Sequence, residues 1–153
     1  MLKYLFITIL VIVFDQASKW LMMSWLSLYE TVAVMPYFNL TMAHNEGAAF
    51  SFLAQAGGWQ RWFFIGLALI ISALLLVWLA KLKPTEKLEA ISLSLILGGA
   101  IGNVIDRISY GYVVDFIDLY IGQNHWPVFN IADSAICIGA ILLIADSFKS
   151  ETA

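Results

Sequence analysis

Acidic, basic and amide side chains occur inside otherwise apolar stretches of this sequence, and they recur at helical spacing. Asp133 stands near the start of the apolar run 128–146, three residues after Asn130. Ionisable groups in such surroundings are costly, usually face the protein interior in pairs, and by default suggest function. Residues three or four apart share a helix face, and two further pairs have that spacing: Asp15 with Lys19, and Asn103 with Arg107.

Two aspartates form a candidate pair for acid–base chemistry. We expect Asp133 and Asp115 at the same membrane face, one at the start of the last apolar stretch and one in the segment before it. Two carboxylates held close together share a proton, so one can act as general base toward a water while the other acts as general acid. Nearby Asn, Lys or Arg donors could stabilise a developing oxyanion. Such a pair can hydrolyse a peptide bond without a metal, serine or cysteine.

The elements that must position these residues are membrane-spanning helices. Of 153 residues, 61% are hydrophobic and 12% are charged, whereas soluble domains are roughly 45–50% apolar and about 25% charged. A spanning helix needs about 20 predominantly apolar residues. We therefore predict one integral membrane domain over 1–153, an all-α bundle of four transmembrane helices with these spans: 2–26, 62–80, 88–108 and 129–148.

Two longer connecting segments are expected on the outer side of the membrane. In the segment 27–60, apolar residues recur at every second position over parts of the stretch from Val32 to Met42, which is typical of half-buried strands. We predict a small extracytoplasmic β platform there. The segment 109–128 is expected to lie on the bilayer surface as a loop or helix, because it carries aromatic residues suited to the interface: Tyr110, Tyr112, Tyr120 and Trp126.

The lysines indicate the orientation. All of them except Lys19 fall at the two ends of the chain and in the second connection: Lys3, Lys81, Lys83, Lys87 and Lys149. Because cytoplasmic loops carry an excess of Lys and Arg, both termini and the second connection are predicted to be cytoplasmic. At a rise of 1.5 Å per residue, the polar groups of the first, third and fourth spans then converge at one depth near the outer face.

Other polar residues have explanations that need no catalysis. Asp15 and Lys19 could form a structural ion pair, and Asp106 could be an interface residue beside Arg107. Gly98 and Gly102 are spaced as in close helix packing. Two more carboxylates are expected to be solvated or exposed: Asp118 in the outer segment and Asp146 near the cytoplasmic end of the last helix.

No metal site or cofactor is expected. His44 and His125 are isolated in the sequence, and no Cys or His cluster has ligand spacing. The single cysteine, Cys137, excludes an internal disulfide. It lies in an apolar stretch, where a reactive thiolate is disfavoured.

Five short motifs follow one another across nearly the whole chain. They are DQASK at 15–19, NEGAAFS at 45–51, GGAIGNVIDR at 98–107, GYVVDF at 111–116 and WPVFNIAD at 126–133. Together, and in this order, they resemble the bacterial lipoprotein signal peptidase family, signal peptidase II. The chain shows no departure from the family pattern within these blocks.

The resemblance implies an aspartic endopeptidase of the bacterial inner membrane that needs no cofactor. Members of the family remove signal peptides from prolipoproteins carrying a diacylglyceryl group on a cysteine, and they cut just before that cysteine. By motif, Asp115 and Asp133 correspond to the catalytic dyad, and the polar surround corresponds to Asp15, Lys19, Asn45, Asn103, Arg107 and Asn130. The implied partners are lipid-modified signal peptides and membrane lipids, without nucleic acid, and the protein is expected to be a monomer.

Two other classes of function are alternatives to a peptidase. One is a small proton-coupled transporter, with a relay through Asp15, Lys19, Arg107 and Asp133. Transporters tend to contain repeats and midplane sites, whereas this sequence shows no repeat and its polar groups are displaced outward. The other is a structural subunit of a larger complex, in which conservative changes at Asp115 would leave function intact.

Overall fold

The computed structural model describes residues 1–47 and 58–150, with side chains as far as Phe148. A 3₁₀ turn (Leu2–Tyr4) leads into helix α1 (Leu5–Trp25), and strands β1 (Thr31–Met35) and β2 (Phe38–Asn45) follow. The rest of the chain forms helices α2 (Trp59–Lys81) and α3 (Lys87–Ser109), strands β3 (Val113–Ile121) and β4 (Asn124–His125), and helix α4 (Ile131–Ser150).

Four helices of the described chain are long and apolar enough to cross a membrane, as the sequence predicts. Helix α3 is the central one, because 56% of its most apolar window is buried, against 22%, 17% and 17% for α1, α2 and α4. It packs against all three of the others. The outward faces of α1, α2 and α4 carry exposed Leu, Ile, Phe and Trp side chains, which suits contact with lipid.

Small residues allow the helices to approach α3 closely. A Cβ added at Gly98 would lie 2.7 Å from Cβ of Val11 on α1, and one added at Gly139 of α4 would lie 2.7 Å from the Ser92 carbonyl oxygen. At Gly99 the added atom would overlap the carbonyl oxygen of Ala132 on α4. These contacts bring the polar faces of α1, α3 and α4 together at one end of the bundle.

A four-stranded antiparallel sheet, in the order β1-β2-β3-β4, lies at that same end. A register shift in β2 between Leu40 and Ala43 leaves Met42 free to enter the core beneath the sheet. There it packs with Met22, Val114 and Phe116. This apolar cluster fixes β3, and therefore Asp115, against the end of α1.

The predicted β platform is confirmed as a small antiparallel sheet, and its extracytoplasmic location stays a prediction. The segment 109–128 was predicted to be a surface loop or helix. This prediction is wrong, because most of the segment is strand. The sequence did not predict this strand because both faces of β3 are buried at its start, where Val113 to Phe116 are all buried. The strand therefore lacks the apolar–polar alternation that marks a half-buried strand. Residues 48–57, which include the second half of NEGAAFS, lie outside the described residues.

Candidate active site

Asp115 enters the site from strand β3. Its side chain is 2% exposed and accepts hydrogen bonds from Nδ2 of Asn130 at 2.7 Å and Nδ2 of Asn45 at 3.2 Å. Burial in the bundle, and next the negative charge of Asp133, raise the pKa of Asp115 to about 7. The group can therefore hold or release a proton near neutral pH.

Asp133 enters from the first turn of α4, where it forms a reciprocal cap with Asn130. The backbone N–H of Asp133 donates to Oδ1 of Asn130 at 2.8 Å, and the backbone N–H of Asn130 donates to Oδ2 of Asp133 at 3.4 Å. This is the geometry of a capping box, and a carboxylate in the first turn is stabilised by the helix dipole. Because Asn130 is the cap, α4 begins at Ile131, two residues after the predicted start at Phe129.

Two buried amides join the carboxylates. Besides its bond to Asp115, the Asn130 amide donates to Oδ1 of Asn103 at 3.2 Å, and Nδ2 of Asn103 donates to Oδ1 of Asp133 at 2.8 Å. A continuous chain of side chains therefore runs from Asp115 through Asn130 and Asn103 to Asp133. Each amide has both ends engaged, so its orientation is set.

Lys19 contacts this chain of side chains through Asn103. Its Nζ lies 2.8 Å from Asp15, 2.8 Å from Asp106 and 3.0 Å from Oδ1 of Asn103. The lysine and the two aspartates are fully buried, so the ion cluster replaces lost hydration with mutual contacts. By donating to the Asn103 carbonyl oxygen, Lys19 turns the Asn103 NH₂ group toward Asp133.

Asp15 and Asp106 also anchor backbone on both sides of the cavity. Oδ1 of Asp15 accepts the Ala132 N–H at 2.9 Å, at the start of α4. Oδ2 of Asp106 accepts the Val114 N–H at 3.0 Å, next to Asp115 on β3. Asp106 is thus a member of the network and more than an interface residue beside Arg107, which corrects the sequence analysis.

Gln16 was missed by sequence reasoning. Its amide donates to Asp15 at 3.1 Å, to Asp106 at 2.8 Å and to the Gly102 carbonyl at 3.2 Å. Gln16 directly follows Asp15 in DQASK, which could have suggested a shared role. Adjacent residues of a helix do not share a face, however, so the i, i+3 and i, i+4 spacing does not pair them. The long flexible side chain reaches around the helix to the cluster.

Arg107 and Asn45 belong to the same site. Nη2 of Arg107 donates to the Gly47 carbonyl at 2.8 Å, and its guanidinium lies 5.3 Å from the Phe64 ring centre. Asn45 closes a turn by accepting the Gly47 N–H at 3.0 Å. Their role in the polar surround, which the family resemblance implies, stays a prediction.

The site opens into a cavity of about 470 Å³. One part of the lining is polar and includes Asp115 and Asp133, while the other part is a wall formed by the chain from Trp126 to Phe129. Cys137 also lines the cavity and is exposed. Within residues 1–47 and 58–150, no group of three His, Cys, Asp or Glu side chains is placed to hold a metal ion.

Asp118 is not solvated, contrary to the sequence analysis. Its side chain is 3% exposed and is bonded to Asn39, Thr41 and His125. Burial acts to raise the pKa of Asp118, but these hydrogen bonds outweigh burial and lower it below its usual range. Sequence reasoning failed here because the partners come from strands β2 and β4, and Asn39 precedes Asp118 by 79 positions.

Four spanning helices with a carboxylate-lined cavity at one end define a multi-pass membrane protein, and the comparisons identify its class as a membrane peptidase. A family model described as signal peptidase (SPase) II matches residues 7–149, so the chain belongs to the signal peptidase II family.

Several relatives and solved structures are similar over almost the whole chain. A lipoprotein signal peptidase of Alteromonas mediterranea is 52% identical and covers 97% of this chain and 82% of the relative. One of Photorhabdus laumondii is 52% identical, covering 97% and 89%. A solved structure described as a bacterial membrane enzyme, determined by the in meso method at 2.3 Å resolution, is 35% identical with a TM-score of 0.88, covering 97% of this chain and 89% of that one.

Proposed function

We propose that this protein is an aspartic endopeptidase that removes signal peptides from prolipoproteins, with Asp115 and Asp133 as its catalytic dyad. The observation that carries the proposal is the chain of amides linking the two carboxylates across one cavity, from Asp115 through Asn130 and Asn103 to Asp133. The similarity to proteins named lipoprotein signal peptidase supports the substrate class. The protein acts as a monomer without a cofactor.

The chemistry follows from the shared proton of the dyad. The ionised carboxylate removes a proton from a water, the resulting nucleophile attacks the scissile carbonyl carbon, and the protonated carboxyl gives its proton to the carbonyl oxygen. Collapse of the tetrahedral intermediate breaks the C–N bond: the amine leaves with the proton that the base took from water, and a hydroxyl of the intermediate returns a proton to the other carboxylate. With a pKa of about 7, Asp115 suits the proton donor; the pair titrates as a unit.

The cavity suits a substrate that is partly in lipid. Apolar side chains of Val128, Phe129 and Ile136 line it beside the dyad, so a lipid-bearing residue can lie next to the scissile bond without entering water. We assign the substrate as a diacylglyceryl-modified prolipoprotein, cut just before the lipidated cysteine. The site then faces the outer surface of the bacterial inner membrane, with both termini in the cytoplasm.

Cleavage of a synthetic diacylglyceryl-modified precursor by the purified protein in detergent tests this proposal. We expect Asp115→Asn and Asp133→Asn each to lower kcat by at least about 100-fold, because an amide supplies neither base nor acid. Asp146→Asn is the matched control: it makes the same change on α4, far from the cavity, and should cleave like the wild type.

Two results would contradict the proposal. Near-normal cleavage by either dyad variant would remove that aspartate from the mechanism. Failure of folded wild-type protein to cut the lipidated precursor would reject the peptidase assignment; a proton flux into vesicles that Asp133→Asn abolishes would then favour the transporter.

A further inference from the structure

The cavity wall is held in place by a feature outside the carboxylate network. We call residues 124–129 the wall segment, because Trp126, Pro127, Val128 and Phe129 line the catalytic cavity. Most of the segment is exposed, and only Val128 and Phe129 are half-buried. With little apolar burial of its own, the wall segment depends on hydrogen bonds for its position.

Those hydrogen bonds attach it to β3 at two places. At one end, the Phe129 N–H donates to the Ile117 carbonyl oxygen at 3.1 Å, and the Phe129 carbonyl oxygen accepts from the Ile117 N–H at 2.8 Å. At the other end, the Trp126 N–H donates to the Leu119 carbonyl at 2.7 Å. Beyond Trp126 the ladder continues for two residue pairs only, of which the nearer is Tyr120 with His125.

A buried carboxylate reinforces this short ladder. Oδ1 of Asp118 lies 2.7 Å from Nδ1 of His125, and its Oδ2 accepts from Oγ1 of Thr41 at 2.9 Å and from Nδ2 of Asn39 at 3.2 Å. An ionised carboxylate only accepts, so Nδ1 of His125 carries the hydrogen and donates. The His125 ring also stacks on Tyr120, with centres 5.2 Å apart. One aspartate therefore ties the wall segment to the middle of the sheet.

Asp118 and the dyad member Asp115 lie on the same strand but on opposite faces. Successive side chains of a strand alternate, so Asp118, three positions after Asp115, points away from the cavity. Its partners Asn39, Thr41 and His125 share nothing with the hydrogen-bond partners of Asp115, which are Asn45 and Asn130. The two carboxylates can therefore be perturbed separately.

We propose that Asp118 and His125 are positioning residues: their hydrogen bond holds the wall segment against β3 and thereby closes one side of the catalytic cavity. The inference rests on the proposed peptidase function, in which the wall contacts the bound precursor. Loss of the bond loosens the wall, weakens substrate binding and leaves the dyad intact.

Steady-state kinetics with the lipidated precursor tests the proposal through a pair of variants. His125→Leu removes the hydrogen-bond donor. In His125→Asn the amide Nδ2 is bonded to Cγ, as Nδ1 of histidine is, so an N–H donor stays at that position. We expect KM to rise by about tenfold in His125→Leu, the scale of one hydrogen bond to a charged group, with kcat within about twofold. His125→Asn should stay near the wild type, as should the control Gln123→Ala, an exposed position in the turn before the wall segment.

A second readout does not depend on activity. Cys137 is the single cysteine of the chain and lines the cavity together with the wall segment, so its rate of alkylation by N-ethylmaleimide reports how open the cavity is. We expect faster labelling in His125→Leu than in the wild type, His125→Asn or Gln123→Ala. A failure of the wild type to cleave would reject the peptidase assignment and leave this comparison valid.

The proposal is overturned if His125→Leu is folded and leaves both KM and the labelling rate unchanged. It is also overturned if His125→Asn is as impaired as His125→Leu, because the donor would then not matter. If His125→Leu does not fold, His125→Gln takes its place. Its amide is displaced by one bond from the Nδ1 position, and we expect it to change both readouts in the same direction.

Discussion

Asn130 is the residue on which the candidate site depends most at the scale of single side chains. Its amide NH₂ donates to Asp115, its carbonyl oxygen caps the N–H of Asp133, and it has no exposed surface. A buried amide with both ends satisfied has one orientation. The relative position of the two carboxylates therefore follows from one asparagine, which belongs to the start of α4 and reaches β3.

The elevated pKa of Asp115 predicts how activity depends on pH. Below about 7 the carboxyl is protonated and can serve as the acid of the pair; as pH rises through about 7 it ionises, and the pair loses its shared proton. We expect kcat/KM for the lipidated precursor to fall about tenfold per pH unit well above this value. The measurement is a pH–rate profile with folding monitored by circular dichroism, and a profile that stays flat to about pH 9 would refute the assignment.

At the scale of elements, the small residues of α3 decide how closely the catalytic parts approach. Gly99 faces the backbone of Ala132, next to Asp133, and Gly102 leaves room for the carboxylate of Asp15, which would lie 2.6 Å from an added Cβ. Glycine is required here for space and not for its backbone angles. The same close approach allows the hydrogen bonds of the buried cluster to form.

An alanine at Gly99 should therefore disturb both packing and catalysis. Its Cβ would overlap the Ala132 carbonyl oxygen, and we expect Gly99→Ala to lower the free energy of unfolding by about 1–3 kcal/mol, as overpacking does, and to reduce cleavage. Gly66→Ala is the matched control, since nothing lies within 4 Å of a Cβ at Gly66 on α2. Thermal unfolding in detergent provides the measurement, and equal melting temperatures for the two variants would show that α4 can shift without cost.

At the scale of the whole molecule, the sheet and the carboxylate cavity lie at one end of the bundle and the lysine-rich connection between α2 and α3 lies at the other. Lys81 ends α2 and Lys87 begins α3, whereas the opposite ends of these helices, at Trp59 and Ser109, are on the sheet side. By the positive-inside rule, we propose that the sheet end faces outward. This orientation would bring the site to substrates that have crossed the membrane.

Cysteine accessibility tests the orientation. In a Cys137→Ser background, Asn124→Cys lies at the sheet end and Thr85→Cys lies between α2 and α3; both native side chains are exposed. In intact bacterial spheroplasts, a membrane-impermeant maleimide should label Asn124→Cys, whereas Thr85→Cys should react only after permeabilisation. The reverse pattern would place the cavity on the cytoplasmic side and contradict the proposed localisation.

The sequence by itself was sufficient to predict the four spanning helices, because each is a long, continuous apolar stretch of the chain. It also identified the polar faces of α1, α3 and α4, since i, i+3 and i, i+4 spacing is a property of the helix alone. Lys19 illustrates this, because it lies one helical turn after Asp15 and forms an ion pair with it at 2.8 Å.

Only the tertiary structure decided which partners those faces meet. The bonds of Asp106 to Gln16 and of Asp118 to Asn39 join residues 90 and 79 positions apart, and no local pattern encodes them. The strand character of 113–121 was missed for a related reason, because a strand covered on both faces lacks the polar alternation that marks a half-buried one. Burial and pairing across the chain turned an expected solvated carboxylate, Asp118, into a buried anchor of the sheet.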